Sequence, residues 1–242
     1  MTDRNRALFY GLGFGLGLGA TAGAVGGYLL ARQRAADRRA PDLDAWQRVL
    51  AKEWGEVDAA MFAAQVQVRY EDLYAQRPRF AHRTLRMHLE DCILPGLALY
   101  RTLREDNLDQ AAALAVVETL FQADQQAERR LLERLGRLPT FFPWFRAITR
   151  QIMRRDLPPE GWETEWVEDS ADCLAFTIHR CFYLDVLTAY GAPELTPLYC
   201  RNDDLLYENV SPYLRWQRTK TLGRLDDCCD FRFTRVTPTI RR

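Results

Sequence analysis

An α+β fold with a helical first half is what the sequence predicts, and three observations predict it. Between residues 43 and 156 apolar residues recur at intervals of three and four, the spacing of helices with one buried face. Beyond Trp162 the period drops to two in four short stretches, "WETEWV", "CLAFTIH", "LRWQRTKTL" and "CCDFRFTRV". Two helical stretches, "CFYLDVLTAYG" and "LTPLYCRNDDLLYENV", separate the second strand from the third. The order ββααββ then gives an antiparallel sheet with helices on one face.

Taken in order, the first helices run over roughly Leu43–Trp54 and Val57–Ala75, with Pro78 closing the second. A third spans about Phe80–Leu94 and is expected to end at the dipeptide Pro95-Gly96, because proline lacks the amide a helix interior needs. "LALYRTLRED" makes a further short helix. Asp109 is placed to cap the long run from Gln110, which Gly136 ends. "FPWFRAITRQIMRRD" is the last helix before "LPPEGW" breaks the chain. The soluble part thus divides into a helical region, 41–160, and a mixed region, 161–242.

Before that domain, residues 7–31 carry no charge and are flanked by Arg4 and Arg6 on one side and Arg32, Arg34, Arg38 and Arg39 on the other. A helix of this length reaches roughly 37 Å, enough to cross a bilayer with some tilt. The stretch is expected to be a retained single-pass anchor, since its apolar run is too long for a signal peptide and lacks a tidy cleavage site. Segment 1–40 is then anchor plus basic linker. The basic excess on its C-terminal side places the domain in the cytoplasm. Gly11, Gly15, Gly19, Gly23 and Gly27 recur every fourth residue and line one face. That face fits helix–helix association in the membrane, and it fits plain tolerance of small residues in lipid equally well.

Composition narrows the function. A chain of 242 residues with 48% hydrophobic content supports one sizeable domain. Its formal net charge is zero, and outside the first forty residues 27 basic side chains face 31 acidic ones. No basic face remains for a nucleic acid. The six cysteines, Cys92, Cys173, Cys181, Cys200, Cys228 and Cys229, are irregularly spaced and read as thiols in a reducing compartment.

Chemistry gathers in the mixed region. In a strand through "CCDFRF", Cys229, Phe231 and Phe233 share the core face while Cys228, Asp230 and Arg232 share the other. Cys200 lies three and four residues before Asp203 and Asp204 on a helix, so thiol and carboxylates share one face. A carboxylate disfavours a thiolate, so Cys200 needs a cation such as His179 or Arg201 nearby. Asp203 suits a base or a water-positioning group. Cys181, at the start of a helix, gains thiolate character from the helix dipole and is the first choice of nucleophile. Three thiols from separated elements could also hold zinc, but no short metal-ligand spacing is present. Phosphate loops and a Ser-His-Asp elbow are missing from the sequence.

Four segments, "ILPGLALYRTL", "LPPEGWETEW", "FTIHRCFYLDVLTAYGAPELTPLYCRNDD" and "RTKTLGRLDDCCDFRF", resemble the L-2-amino-thiazoline-4-carboxylic acid hydrolase family from about His88 to Val236. The resemblance implies hydrolytic opening of a thiazoline ring to an N-carbamoyl cysteine, without a cofactor. On that basis a cyclic amidine C–N bond is opened, with Cys181 or Cys229 attacking the amidine carbon and Cys200 beside them. Asp203 or Asp230 handles protons, and Arg218, Arg232 and His179 contact substrate. The alternation rule lets only one of the two faces of the last strand line such a site. The closing pattern is also faintly similar to 4-vinyl-reductase-like domains, which implies a rival role as a membrane-tethered small-molecule-binding or scaffold domain.

Overall fold

The computed structural model describes residues 43–237. The anticipated anchor at 7–31 and its glycine face lie outside them. Among the described residues no helix is long and apolar enough to cross a membrane. The strands of the described residues all lie from Trp162 onward, and tertiary contacts divide the described chain between Asp124 and Gln125.

In the first unit, α1 (Asp44–Trp54) and α2 (Glu56–Gln76) join at Gly55, whose φ of +87° is a backbone state that favours glycine. The buried residues of α2, Ala59, Phe62, Ala63, Val66, Tyr70 and Leu73, follow the three-four spacing of the sequence and make its inner stripe. α3 (Arg83–Met87) leads into a π-helical turn, His88–Ile93, and then into α4 (Leu94–Glu105) without a break. This corrects the expectation that Pro95-Gly96 ends a helix. The widened turn lets the Leu94 amide bond back five residues to Leu89, and the Glu90 carbonyl, which an amide at Pro95 would meet in the same pattern, accepts the Tyr70 hydroxyl at 3.0 Å instead. Asp109 caps α5 (Gln110–Leu135) by accepting from the Ala112 amide at 2.8 Å, as its position in the sequence predicts.

The second unit begins within α5 and contains α6 (Phe141–Asp156) and a four-stranded sheet. Strands β1 (Trp162–Asp169), β2 (Cys173–Cys181), β3 (Leu214–Gln217) and β4 (Cys229–Arg235) lie in the order β1-β2-β4-β3, every pair antiparallel. Helices α7 (Phe182–Ala189) and α8 (Thr196–Tyr207) fill the connection between β2 and β3, which confirms the ββααββ order. Register pairs Leu174 with Phe233, Phe176 with Phe231 and Ile178 with Cys229, so these six share the inner face. Phe145 of α6, Tyr207 of α8 and Trp216 of β3 pack their rings on Phe233 at 4.8, 5.0 and 4.7 Å between centroids. Phe145 and Tyr207, both buried, each contribute about 1.5–3 kcal/mol by leaving water, which ties α6 and α8 to the sheet.

Gly136 ends α5 as expected, though not through a left-handed turn. A Cβ there would stand 2.1 Å from the Val210 carbonyl oxygen, and the Ser211 hydroxyl donates to the Gly136 carbonyl at 2.6 Å. Close approach of the segment after α8 is what requires glycine.

Candidate functional site

The site is built on α8, where Cys200, Asp203, Asp204 and Tyr207 recur at three, four and seven residues and therefore share one face. Two other elements meet that face. One is the first residue of β4, Cys229; the other is the segment from Arg218 through the short 3-10 turn Leu222–Arg224.

Around the Cys200 sulfur the donors converge. The Cys229 thiol and the Thr221 hydroxyl hydrogen-bond to it, the Gly223 amide points at it, and the Arg218 cation stands near. These hold the Cys200 thiol down at about 6 against the opposing effect of burial. Gly223 makes the approach feasible, because a Cβ there would lie 2.9 Å from the Cys200 sulfur. Cys229 is the complementary half of the pair: the neighbouring Cys200 sulfur and burial push its own thiol well above the ordinary range. It donates to Thr221 Oγ1 at 3.6 Å, and its sulfur accepts the Leu222 amide at 3.2 Å.

Arg218 is 4% exposed, and its guanidinium is shared unequally. One terminal nitrogen donates to Asp204 Oδ2 and to the Cys200 carbonyl oxygen, both at 2.6 Å; the other reaches Asp203 Oδ2 only at 3.3 Å. Trp216 Nε1 adds a bond to Asp204 at 3.3 Å. Asp204 is thereby saturated as a structural partner. Asp203 receives the weaker share, and burial pushes its carboxyl up to about 7 in spite of Arg218. The arrangement places, one helical turn apart, a thiol whose pKa is lowered and a carboxyl whose pKa is raised.

Four sequence expectations change here. Cys181 does stand at the head of α7, but burial outweighs the favourable amides of Leu184 and Tyr183, and Cys200 and Asp203 nearby repel a further negative charge; its thiol is pushed up to about 12. The cation beside Cys200 is Arg218, not His179 or Arg201. His179 is exposed and sits 3.1 Å from Glu165. Arg218 is too enclosed and too fully engaged to hold a substrate carboxylate as anticipated. Asp230 and Arg232 lie on the opposite face of β4, where they border a shallow concavity of about 250 Å³ with Ala175, Thr177, Gln217 and Thr219. There Asp230 accepts from the Thr219 amide and hydroxyl at 2.8 and 2.6 Å and from the Lys220 amide. Burial works against its charge, but these donors hold its carboxyl below the ordinary range. Arg232 contacts Glu168 at 3.1 Å and the Cys173 sulfur at 3.0 Å. The structure thus brings together Cys181, Cys200, Asp203, Arg218 and Cys229, and sets Asp230, Arg232 and His179 apart from them.

Sequence reasoning also missed four contributors. Thr221 and Gly223 act through a hydroxyl and an amide in a loop, which no residue pattern announces. Tyr207 completes the α8 face; burial pushes its phenol well above the ordinary range, and Asp203 and Glu128 add to the shift. Glu128 of α5 is 1% exposed, neither carboxyl oxygen has a hydrogen-bond partner, and burial pushes it up to about 8. Following the buried stripe Ala113, Val117, Leu120, Phe121, Leu132 along α5 would have found it, because Glu128 occupies the next inward position. Among the described residues no three His, Cys, Asp or Glu side chains are grouped to hold a metal ion.

Neither a curated protein nor a solved structure matches the chain. The model of the L-2-amino-thiazoline-4-carboxylic acid hydrolase family matches residues 86–233, which include every residue of the α8–β4 cluster and more than half of the sequence. The chain belongs to the L-2-amino-thiazoline-4-carboxylic acid hydrolase family.

Proposed function

We propose that the chain is a hydrolase that opens a cyclic amidine of the 2-amino-thiazoline-4-carboxylate type, with Cys200 as nucleophile and Asp203 as the acid that serves the leaving group. The observation that carries this reading is the pairing on one face of α8: a sulfur surrounded by donors, and one turn on, a carboxyl that keeps its proton near neutrality. Family membership supports the reaction class.

The chemistry follows from those two groups. The Cys200 thiolate adds to the amidine carbon between sulfur and nitrogen. As the adduct collapses, the bond from that carbon to the ring sulfur breaks, and Asp203 protonates the departing sulfur. The carbon is left on Cys200 as an isothiourea. Water then adds to it; one water proton goes to the ring-derived nitrogen and the other restores Asp203, while Cys200 leaves as thiolate. An N-carbamoyl product keeps both nitrogens on the attacked carbon. The bond opened is therefore carbon–sulfur, which corrects the carbon–nitrogen cleavage expected from the sequence. Cys229 assists by donating to Cys200 whenever the latter carries charge, and Arg218 fixes Asp203 and Asp204 in position.

The same reading keeps residues 7–31 as a single-pass anchor with the domain on the cytoplasmic side, supported by the length of the uncharged stretch and the arginines that follow it. Full-length protein is expected to remain with membranes through alkaline carbonate extraction. Release into the soluble fraction would contradict the anchor.

The activity is tested with full-length protein in lipid nanodiscs, incubated with 2-amino-thiazoline-4-carboxylate and followed by mass spectrometry. Product heavier than substrate by one water, formed by the wild type and not by folded Cys200→Ser, is the expected result. A folded wild type that forms no product contradicts it and favours a tethered binding domain.

A further inference from the structure

Cys200 and Cys229 come from different elements, yet one three-residue turn serves both sulfurs. The Leu222 amide bonds Cys229 at 3.2 Å, the Gly223 amide points at Cys200, and the Thr221 hydroxyl reaches both. The Cys200 sulfur lies against Gly223, the residue after the Leu222 amide that holds Cys229, and neither sulfur is in a disulfide. Cys200 is half-buried, whereas Cys229 is buried. Other thiols are less well placed: Cys228 and Cys173 belong to the outer side of the sheet, and the raised Cys181 thiol is a poor competitor.

The geometry points to a reversible oxidation site, in which Cys200 reacts with a hydroperoxide and Cys229 resolves the product as a Cys200–Cys229 disulfide. The Cys200 thiolate attacks one peroxide oxygen, the O–O bond breaks, and Cys200 becomes a sulfenic acid with release of hydroxide. The Cys229 sulfur then attacks the Cys200 sulfur; the S–S bond forms, the S–O bond breaks, and the Cys229 proton leaves with the hydroxyl as water. Two thiols are oxidised and one hydrogen peroxide is reduced to two waters. The disulfide removes the nucleophile, so oxidation closes the site until a thiol reductant reopens it. This inference rests on Cys200 being the nucleophile of the proposed function and on its place beside Cys229 at one turn, not on the identity of the substrate.

Full-length protein treated with one equivalent of hydrogen peroxide near neutral pH, then alkylated, digested and mapped by mass spectrometry, tests it. The expected result is a cross-linked Cys200–Cys229 peptide that dithiothreitol reverses. In Cys229→Ser, Cys200 is expected to accumulate as a sulfenic acid captured by dimedone. A bridge to Cys181 or Cys228 would overturn the assignment, and so would over-oxidation of Cys200 in wild type without a cross-link. A cross-link in protein that opens no thiazoline ring leaves this site standing and rejects the substrate. Ring opening without a cross-link does the reverse.

Discussion

On the outer face of β4, Asp230 accepts hydrogen bonds from two backbone amides and a hydroxyl, and Arg232 sits against Glu168. One residue away on the inner face, Cys229 and Cys200 shift each other's pKa in opposite directions, next to an Asp203 that Arg218 only partly neutralises. Both faces offer acids, cations and thiols. They differ in how completely each group is satisfied. Where both carboxylate oxygens have donors, the charged form is favoured and the group holds a loop in place. Where burial and incomplete pairing move a proton from its ordinary pKa, the group can take part in a reaction near neutral pH.

The largest expected effect breaks the inner face at its centre. Cys200→Ser replaces a thiolate by a hydroxyl that keeps its proton, and turnover should fall by about 10³-fold or more with the fold intact by circular dichroism. Next is Glu128, whose folded pKa lies above its unfolded value. Between the ordinary carboxylate range and about 8 the folded state binds more protons than the unfolded one, so stability falls as pH rises. Glu128→Gln should remove that fall, a gain of about 3 kcal/mol at pH about 8 relative to pH about 5, read from urea midpoints.

Asp203→Asn comes third, with a loss of about 10²-fold. Wild-type activity should rise as Cys200 ionises near 6 and decline as Asp203 loses its proton near 7, and the Asn variant should lose the alkaline decline. On the outer face, Asp230→Ala should cost about 1–2 kcal/mol in stability through the amides it leaves without acceptors, with turnover per folded molecule unchanged. Arg232→Ala should be smallest, within about 0.5 kcal/mol. If either outer variant lowered turnover more than Asp203→Asn does, the contrast between the faces would be lost.

Much of this molecule was legible in its sequence. The strand alternation of "CDFRF" sorted β4 into its two faces, and the spacing of Cys200 and Asp203 put them on one helix face. Both are properties of a single element. What the sequence could not display is how strongly burial competes with a helix dipole at Cys181, or which arginine reaches Cys200, because those depend on elements that meet only in the folded chain. The amides of Leu222 and Gly223 carry no side-chain signature. The run through Pro95 misled for a related reason: a π turn upstream re-registers the helix, and its cause lies in packing rather than in composition.

The central claim is that Cys200, alone among the thiols of this site, is a thiolate near neutral pH. It is tested most directly by the pH dependence of alkylation, with iodoacetamide labelling of each cysteine in the native full-length protein quantified by peptide mass spectrometry. The account predicts that Cys200 labels first, with a midpoint near 6, while Cys181 and Cys229 stay unlabelled until the protein unfolds. Earlier labelling of Cys181, or a Cys200 midpoint at or above that of an ordinary thiol, would contradict it.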